Sequence, residues 1–167
     1  MIKSKTGDFY EVGVRYDKTQ EDGTSKKVTE KYAVDAVSFG EAEVSIVKEM
    51  EMYISGEYKL TSNSLANYHE VVTTEADNAD RYYKVRAAFI TFDEKTEREK
   101  RSNTNFLVQA SSLRNAIDNF DTFMGSTMID YSIVSVQETK LMDIFFHTDS
   151  NNKVEVENGH GEEETAH

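Results

Sequence analysis

The 167-residue chain is predicted to fold as an α+β domain. Two pseudo-equivalent ββαβ repeats are expected to join their strands into a mostly antiparallel sheet with both helices on one face. Three observations carry this expectation: an internal duplication, period-2 apolar alternation in each copy, and a capped amphipathic segment after it. Tyr10-Glu11-Val12-Gly13-Val14-Arg15-Tyr16 aligns with Tyr83-Lys84-Val85-Arg86-Ala87-Ala88-Phe89 at an offset of 73. Val34 to Ser38 aligns with Val108 to Ser112 at 74, and Glu57 to Leu60 with Asp130 to Ile133 at 73. Three blocks in one order at nearly one offset mark repeats over residues 8–73 and 81–146.

Tyr10, Val12, Val14 and Tyr16 alternate with Phe9, Glu11, Gly13 and Arg15, the pattern of a half-buried strand. Tyr83, Val85, Ala87 and Phe89 repeat it against Tyr82, Lys84, Arg86 and Ala88. Second strands are read at Tyr32–Val37 and Phe106–Ala110. Asp17–Lys27, with its Asp22-Gly23 turn signal, and Asp93–Thr104 read as long polar hairpin connections. Ser38-Phe39-Gly40-Glu41 is a capping-box sequence, and the apolar positions Phe39, Ala42, Ile46, Val47, Met50 and Ile54 follow at helical spacing until Gly56. Ser111 or Ser112 opens the second helix, whose stripe is Leu113, Ala116, Ile117, Phe120, Phe123 and Met124 before Gly125. Stripes of this width cover a sheet rather than bind a cofactor or a membrane. Tyr58–Val72 and Tyr131–Phe146 read as extended, each one bent strand or two short ones. Thr73–Asp80 is a polar joint. Residues 1–146 therefore form one domain, and residues 147–167 are expected to be a disordered acidic tail.

The chain contains no Cys, no Pro and no Trp. No disulfide framework, thiolate nucleophile or Cys-built zinc site is available. No stretch approaches a membrane span, and the start Met1-Ile2-Lys3-Ser4-Lys5 lacks the apolar core of a signal peptide, so a cytoplasmic protein without membrane contact is expected. His69 is the single His in the repeats, and no phosphate-loop motif is present. No carboxylate pair stands out, and Asp35 in one copy is replaced by Gln109 in the other. The expectation is a non-enzyme with no catalytic residues, no cofactor and no metal.

The net charge of −12 is unevenly spread. Copy one has 7 basic and 13 acidic residues, copy two has 9 of each, and the tail has 1 basic and 6 acidic. Cations of copy two are grouped on its first strand and hairpin: Arg81, Lys84, Arg86, Lys95, Arg98, Lys100 and Arg101. Tyr82, Lys84 and Arg86 share the strand face opposite the presumed core. An exposed ring beside cations suits single-stranded nucleic acid, in which bases stack on the ring and cations follow the phosphates. The expected site is therefore Tyr82 for stacking, Lys84 and Arg86 for phosphates, and Lys95, Arg98, Lys100 and Arg101 as a mobile basic finger. The tail is expected to compete with DNA for this surface and to recruit replication proteins, although it ends in Thr165-Ala166-His167 rather than an apolar tip. The alternative is a protein–protein interaction module or homodimer that uses exposed aromatics and takes no nucleic acid.

Several strings also resemble a family. They are Tyr10-Glu11-Val12 through Asp17-Lys18-Thr19, Lys27-Val28-Thr29-Glu30-Lys31-Tyr32, Ser38-Phe39-Gly40-Glu41-Ala42-Glu43 and Ile54-Ser55-Gly56-Glu57, continued in copy two by Ala79-Asp80-Arg81-Tyr82-Tyr83-Lys84-Val85, Ile90-Thr91-Phe92-Asp93-Glu94-Lys95 and Ser135-Val136-Gln137-Glu138-Thr139. Over roughly residues 9–145 the chain is similar to domain-of-unknown-function family 4494, short proteins of bacteria and their phages. The resemblance implies no activity and no catalytic residues. Occurrence in phages implies a replication or nucleic-acid role, by association, and a bacterial host cytoplasm as the location.

Overall fold

A computed structural model of the chain describes residues 2–4 and 8–147. Each apolar-alternating segment forms a long strand, and each capped stripe forms a helix. The chain order is β1 (Ile2–Ser4), β2 (Asp8–Thr19), β3 (Ser25–Ala36), α1 (Phe39–Tyr53), β4 (Tyr58–Ala66), β5 (Glu70–Val72), β6 (Arg81–Asp93), β7 (Arg98–Ala110), α2 (Leu113–Gly125), β8 (Asp130–Glu138) and β9 (Leu141–Phe145). The fold is α+β, as expected, but the strands form two sheets instead of one. The first sheet has the order β4-β2-β3-β9, and the second β1-β5-β7-β6-β8. Residues 148–167, assigned above to a disordered tail, lie outside the described residues.

The division into two sheets comes from a reciprocal exchange. β4 and β8 pair antiparallel with β2 and β6 of their own halves. The strand that follows each of them crosses over. β5 lies parallel to β7, pairing Glu70 with Phe106 and Val72 with Val108. β9 lies parallel to β3, pairing Ala33 with Ile144 and Val34 with Phe145. Matching side chains anchor the two exchanged ends. The Gln109 Oε1 accepts from the Thr74 backbone N–H at 3.2 Å, and the Asp35 Oδ2 accepts from that of His147 at 3.4 Å. Asp35 and Gln109, which share no chemistry as acids, thus share a structural task.

Alternation gives each sheet two apolar faces near its exchanged strand. One face carries a helix. In the first sheet Tyr10, Val12, Val14, Tyr32 and Val34 pack with Ala42, Ile46 and Met50 of α1. In the second sheet Tyr83, Val85, Phe106 and Val108 pack with Ala116, Phe120 and Phe123 of α2. The opposite faces meet in a third cluster, in which Phe9, Ala33, Leu141 and Ile144 of the first sheet touch Val71, Tyr82 and Leu107 of the second, with Tyr68. The layers therefore run helix, sheet, sheet, helix, and the two helices do not share a face.

Local signals account for the element ends. The Ser38 and Ser112 hydroxyls accept from the Glu41 and Asn115 amides at 3.1 Å, each capping its helix. The Glu41 carboxylate is taken instead by His147, whose Nδ1 lies 2.6 Å away. Both hairpins are longer ribbons, with shorter turns, than the polar sequence suggested. Thr19 pairs with Ser25 and Asp93 with Arg98, so Arg98, Lys100 and Arg101 belong to β7 and not to a loop. Gly23 turns the first hairpin at φ +84, and its neighbour Asp22 accepts from the Thr24 amide at 3.0 Å. On β4 the pairing skips Thr61 opposite Gly13 and Val14. A Cβ at Gly13 would stand 2.6 Å from the hydroxyls of Ser62 and Thr61, so a larger residue at this bulge would make those side chains turn away.

Because each half holds a strand of the other, a chain cut between Thr74 and Asn78, after insertion of a specific protease site there, is expected to elute and melt as one particle. Separation into two half-sized particles under native conditions would contradict the exchange.

Candidate nucleic-acid interface

The face of the second sheet turned away from α2 begins buried and ends open. On β6 it carries Tyr82, Lys84, Arg86, Ala88, Ile90 and Phe92, by alternation. Their cross-strand partners on β7 are Gln109, Leu107, Asn105, Asn103, Arg101 and Glu99. β8 adds Gln137 opposite Lys84, Ser135 opposite Arg86 and Ser132 opposite Ala88. Ala88, Arg101, Asn103, Ser132, Ile133 and Val134 line an open hollow of about 460 Å³.

Tyr82 corrects the sequence reading. It is only 7% exposed, packed between the sheets with Phe9, Tyr68 and Leu107. Its hydroxyl donates to the Asp143 Oδ1 at 3.1 Å across the sheet boundary. The strand face judged solvent-facing is covered at this end by the first sheet, which a one-sheet reading cannot supply. Tyr82 is therefore a core residue and is closed to a stacking base.

Lys84 and Arg86 are exposed, as are Lys95, Arg98, Lys100 and Arg101. Register divides them. Lys84, Arg86 and Arg101 share the open face, Lys95 sits in the turn, and Arg98 and Lys100 fall on the α2 side of the ribbon. Lys84, Arg86 and Arg101 make no ion pair among the described residues. The Glu138 carboxylate, opposite Tyr83 at the end of β8, is 3.7 Å from Arg81 Nε. The residue missed in the sequence is Phe92, 64% exposed on the same face as Lys84, Arg86 and Arg101. Its signal was present: the spacing 82, 84, 86, 88, 90 continues to 92, which becomes visible once β6 is known to run to Asp93. Among the described residues the open face thus carries three cations without an ion pair and one exposed ring, with Glu99 opposite that ring.

Among the described residues no group of three or more His, Cys, Asp or Glu could hold a metal ion. His69 is exposed and set edge-on to Phe89 and Phe106, at ring separations of 6.4 and 5.6 Å. Among the described residues no helix is long and apolar enough to cross a membrane.

Several tyrosines are tied to carboxylates. The Tyr68 hydroxyl donates to Glu11 at 2.6 Å, Tyr32 to Glu30 at 2.8 Å and Tyr131 to Asp121 at 2.6 Å. Burial, then the carboxylate partner, pushes the phenols of Tyr32 and Tyr68 well above the ordinary tyrosine value, as burial and Asp143 do for Tyr82. Burial and Asp121 push Tyr131 up to about 12. A group whose pKa rises on folding contributes fully below its unfolded pKa and loses that contribution as pH climbs past it. Stability is therefore expected to fall once pH exceeds about 10, with the tyrosinate absorbance of these residues appearing only as the protein unfolds. Early, fully reversible ionisation of every tyrosine near the free value would contradict the assigned contacts. In urea unfolding, Tyr82→Ala is expected to cost about 3–5 kcal/mol, as for other buried aromatics. Tyr82→Phe should cost about 1 kcal/mol, because the exposed Asp143 regains water. A cost near zero for Tyr82→Ala would place the ring outside the core.

No curated protein and no solved structure matches the chain. The model of the family described as "Domain of unknown function (DUF4494)" matches residues 8–148, nearly all of the two halves and the exchange between them, and the chain belongs to that family.

Proposed function

We propose that the protein binds single-stranded nucleic acid, without catalysis, on the open face of the second sheet. Lys84, Arg86 and Arg101 contact phosphates, Phe92 takes the stacking role that buried Tyr82 cannot fill, and Lys95 extends the cationic path to the hairpin tip. Arg98 and Lys100, on the ribbon's other side, add to the field without lying in the same track. The observation that carries this reading is the grouping of three exposed, unpaired cations with the exposed Phe92 on one strand face. Mobile counterions leave each phosphate that a cation neutralises, and each stacked base adds about 1–3 kcal/mol. Residues 148–167, with six acidic residues and one Lys, act as a competing polyanion in cis and as the segment that engages replication proteins.

Fluorescence anisotropy with a labelled oligothymidylate tests this reading. Phe92→Ala is expected to weaken binding by about 1–3 kcal/mol at unchanged salt dependence, with little loss of stability because the ring is mostly exposed. Combined Lys84→Gln, Arg86→Gln and Arg101→Gln should reduce the slope of log affinity against log salt by about 2, at about 0.7 per phosphate contact on a single strand. Removal of residues 148–167 should tighten binding at low salt. No binding at low salt, with or without the tail, would end the proposal.

A further inference from the structure

The acidic half of the chain also carries a basic face, on the side of its sheet opposite α1. On the first sheet, the face opposite α1 carries Glu11, Gly13, Arg15 and Asp17 on β2 and Lys31, Thr29 and Lys27 on β3. Across the β4 bulge Lys59 stands opposite Arg15. Arg15, Lys27, Lys31 and Lys59 are all exposed, and none makes an ion pair among the described residues. Much of the acid responsible for the negative charge of this half lies elsewhere: Glu41, Glu43, Glu49 and Glu51 on α1, Glu21 and Asp22 in the turn, and Glu30 on the α1 side with Tyr32 and Lys18. The open side therefore carries an excess of base, with Arg15, Lys27, Lys31 and Lys59 against Glu11 and Asp17, while α1 carries four acids.

Two hollows follow this face. One, of about 400 Å³, is lined by Arg15, Lys27, Lys59, Tyr58, Asp17 and Glu57 among others. The other, of about 270 Å³, lies where the sheets meet and is lined from both of them, by Lys31 and Glu11 on one side and Lys84 on the other, with Lys140 and Tyr68. Its acids are already engaged, Glu11 by the Tyr68 hydroxyl at 2.6 Å and Glu138 by Arg81 at 3.7 Å. The lysines of this junction are thus left facing a shared opening. Lys27 also occupies the position in its half that Arg101 occupies in the other, 74 residues on.

We infer that the open face of the first sheet, through Arg15, Lys27, Lys31 and Lys59, is a second anion-binding surface. It is joined to the Lys84–Arg86–Arg101 face through the Lys31/Lys84/Lys140 junction, so that one single strand of nucleic acid follows both sheets. This rests on the nucleic-acid reading above and extends it. The occupant is fixed by charge: two rows of unpaired cations joined end to end match the regular phosphates of one chain. The first sheet has no ring in the place of Phe92, because Thr19 stands 73 residues before it. Its contribution is therefore to phosphate binding and to the length of strand covered, and not to base stacking.

The test uses the full chain, a length series of labelled oligothymidylates and a salt series. A variant with Arg15→Gln, Lys27→Gln and Lys59→Gln changes exposed side chains only, and its circular dichroism and melting are checked against the parent. Expected are a salt slope shallower by about 2 and a shorter oligonucleotide length at which affinity stops rising, while the effect of Phe92→Ala stays the same in either background. Should the variant be less stable, Lys59→Gln alone, at the sheet edge, serves as the second variant, with a slope change of about 0.7. Parent-like slope and length in these variants, together with loss of binding in the Lys84, Arg86 and Arg101 variant, would overturn the extended track and leave the single-face reading standing. Absence of binding by the parent chain would overturn both.

Discussion

The reciprocal placement of β5 and β9 is the constraint on which the rest of the molecule depends. Each is short, with three and five residues, and each pairs in parallel with the long strand of the opposite half. A crossed pair of this kind cannot form within one repeat. It brings the inner faces of the two sheets together and creates the shared cluster of Phe9, Tyr68, Val71, Tyr82, Leu107, Leu141 and Ile144. Without the exchange, each sheet would leave that apolar patch in water, at a cost of about 25 cal/mol for each Å² exposed.

The surface that remains follows from the same constraint. Sheet contact covers one end of each inner face, so large apolar residues stand at positions 9, 82 and 107 and polar or charged ones further along the same strands. The long hairpins, flanked by β4 and β8 for most of their length, continue past the core with inner sides on which no other layer packs among the described residues. Cations collect there because nothing is packed on them and because neighbouring carboxylates are taken up locally, Glu11 by Tyr68, Glu138 by Arg81 and Asp143 by Tyr82. Net charge alone misses this arrangement. The value of −12 sums the two sides of each sheet, and four acids of the first half, Glu41, Glu43, Glu49 and Glu51, sit on α1.

Local features were legible in the sequence to the degree that they depend on neighbours along the chain. Both helices begin at the serines that the capping signals named, and the strand pairs fall in register with the alternation of Tyr10, Val12, Val14 and of Tyr83, Val85, Ala87. The two extended segments after the helices each resolve into two strands. Pairings between halves were not legible, since a three-residue Glu70–Val72 strand carries no pattern that names its partner. From that one gap came the single sheet, the shared helix face and the exposed Tyr82. The polar ribbons were read as loops because strands wetted on both faces lose apolar alternation, and that shortening of β6 hid Phe92. The cations of copy two were found because they cluster in sequence. Those of copy one, spread over Arg15, Lys27, Lys31 and Lys59 on three strands, come together only in register.

The central proposal is one polyanion track laid on two sheets that the exchanged strands β5 and β9 hold together. Mapping of backbone amide chemical shifts during titration of the labelled protein with an oligothymidylate tests that most directly. The account predicts shifts at Lys84, Arg86, Phe92 and Arg101 and at Arg15, Lys27 and Lys31, with the outer faces of α1 and α2 unmoved. Shifts centred on the helices, or none at saturating oligonucleotide, would contradict it.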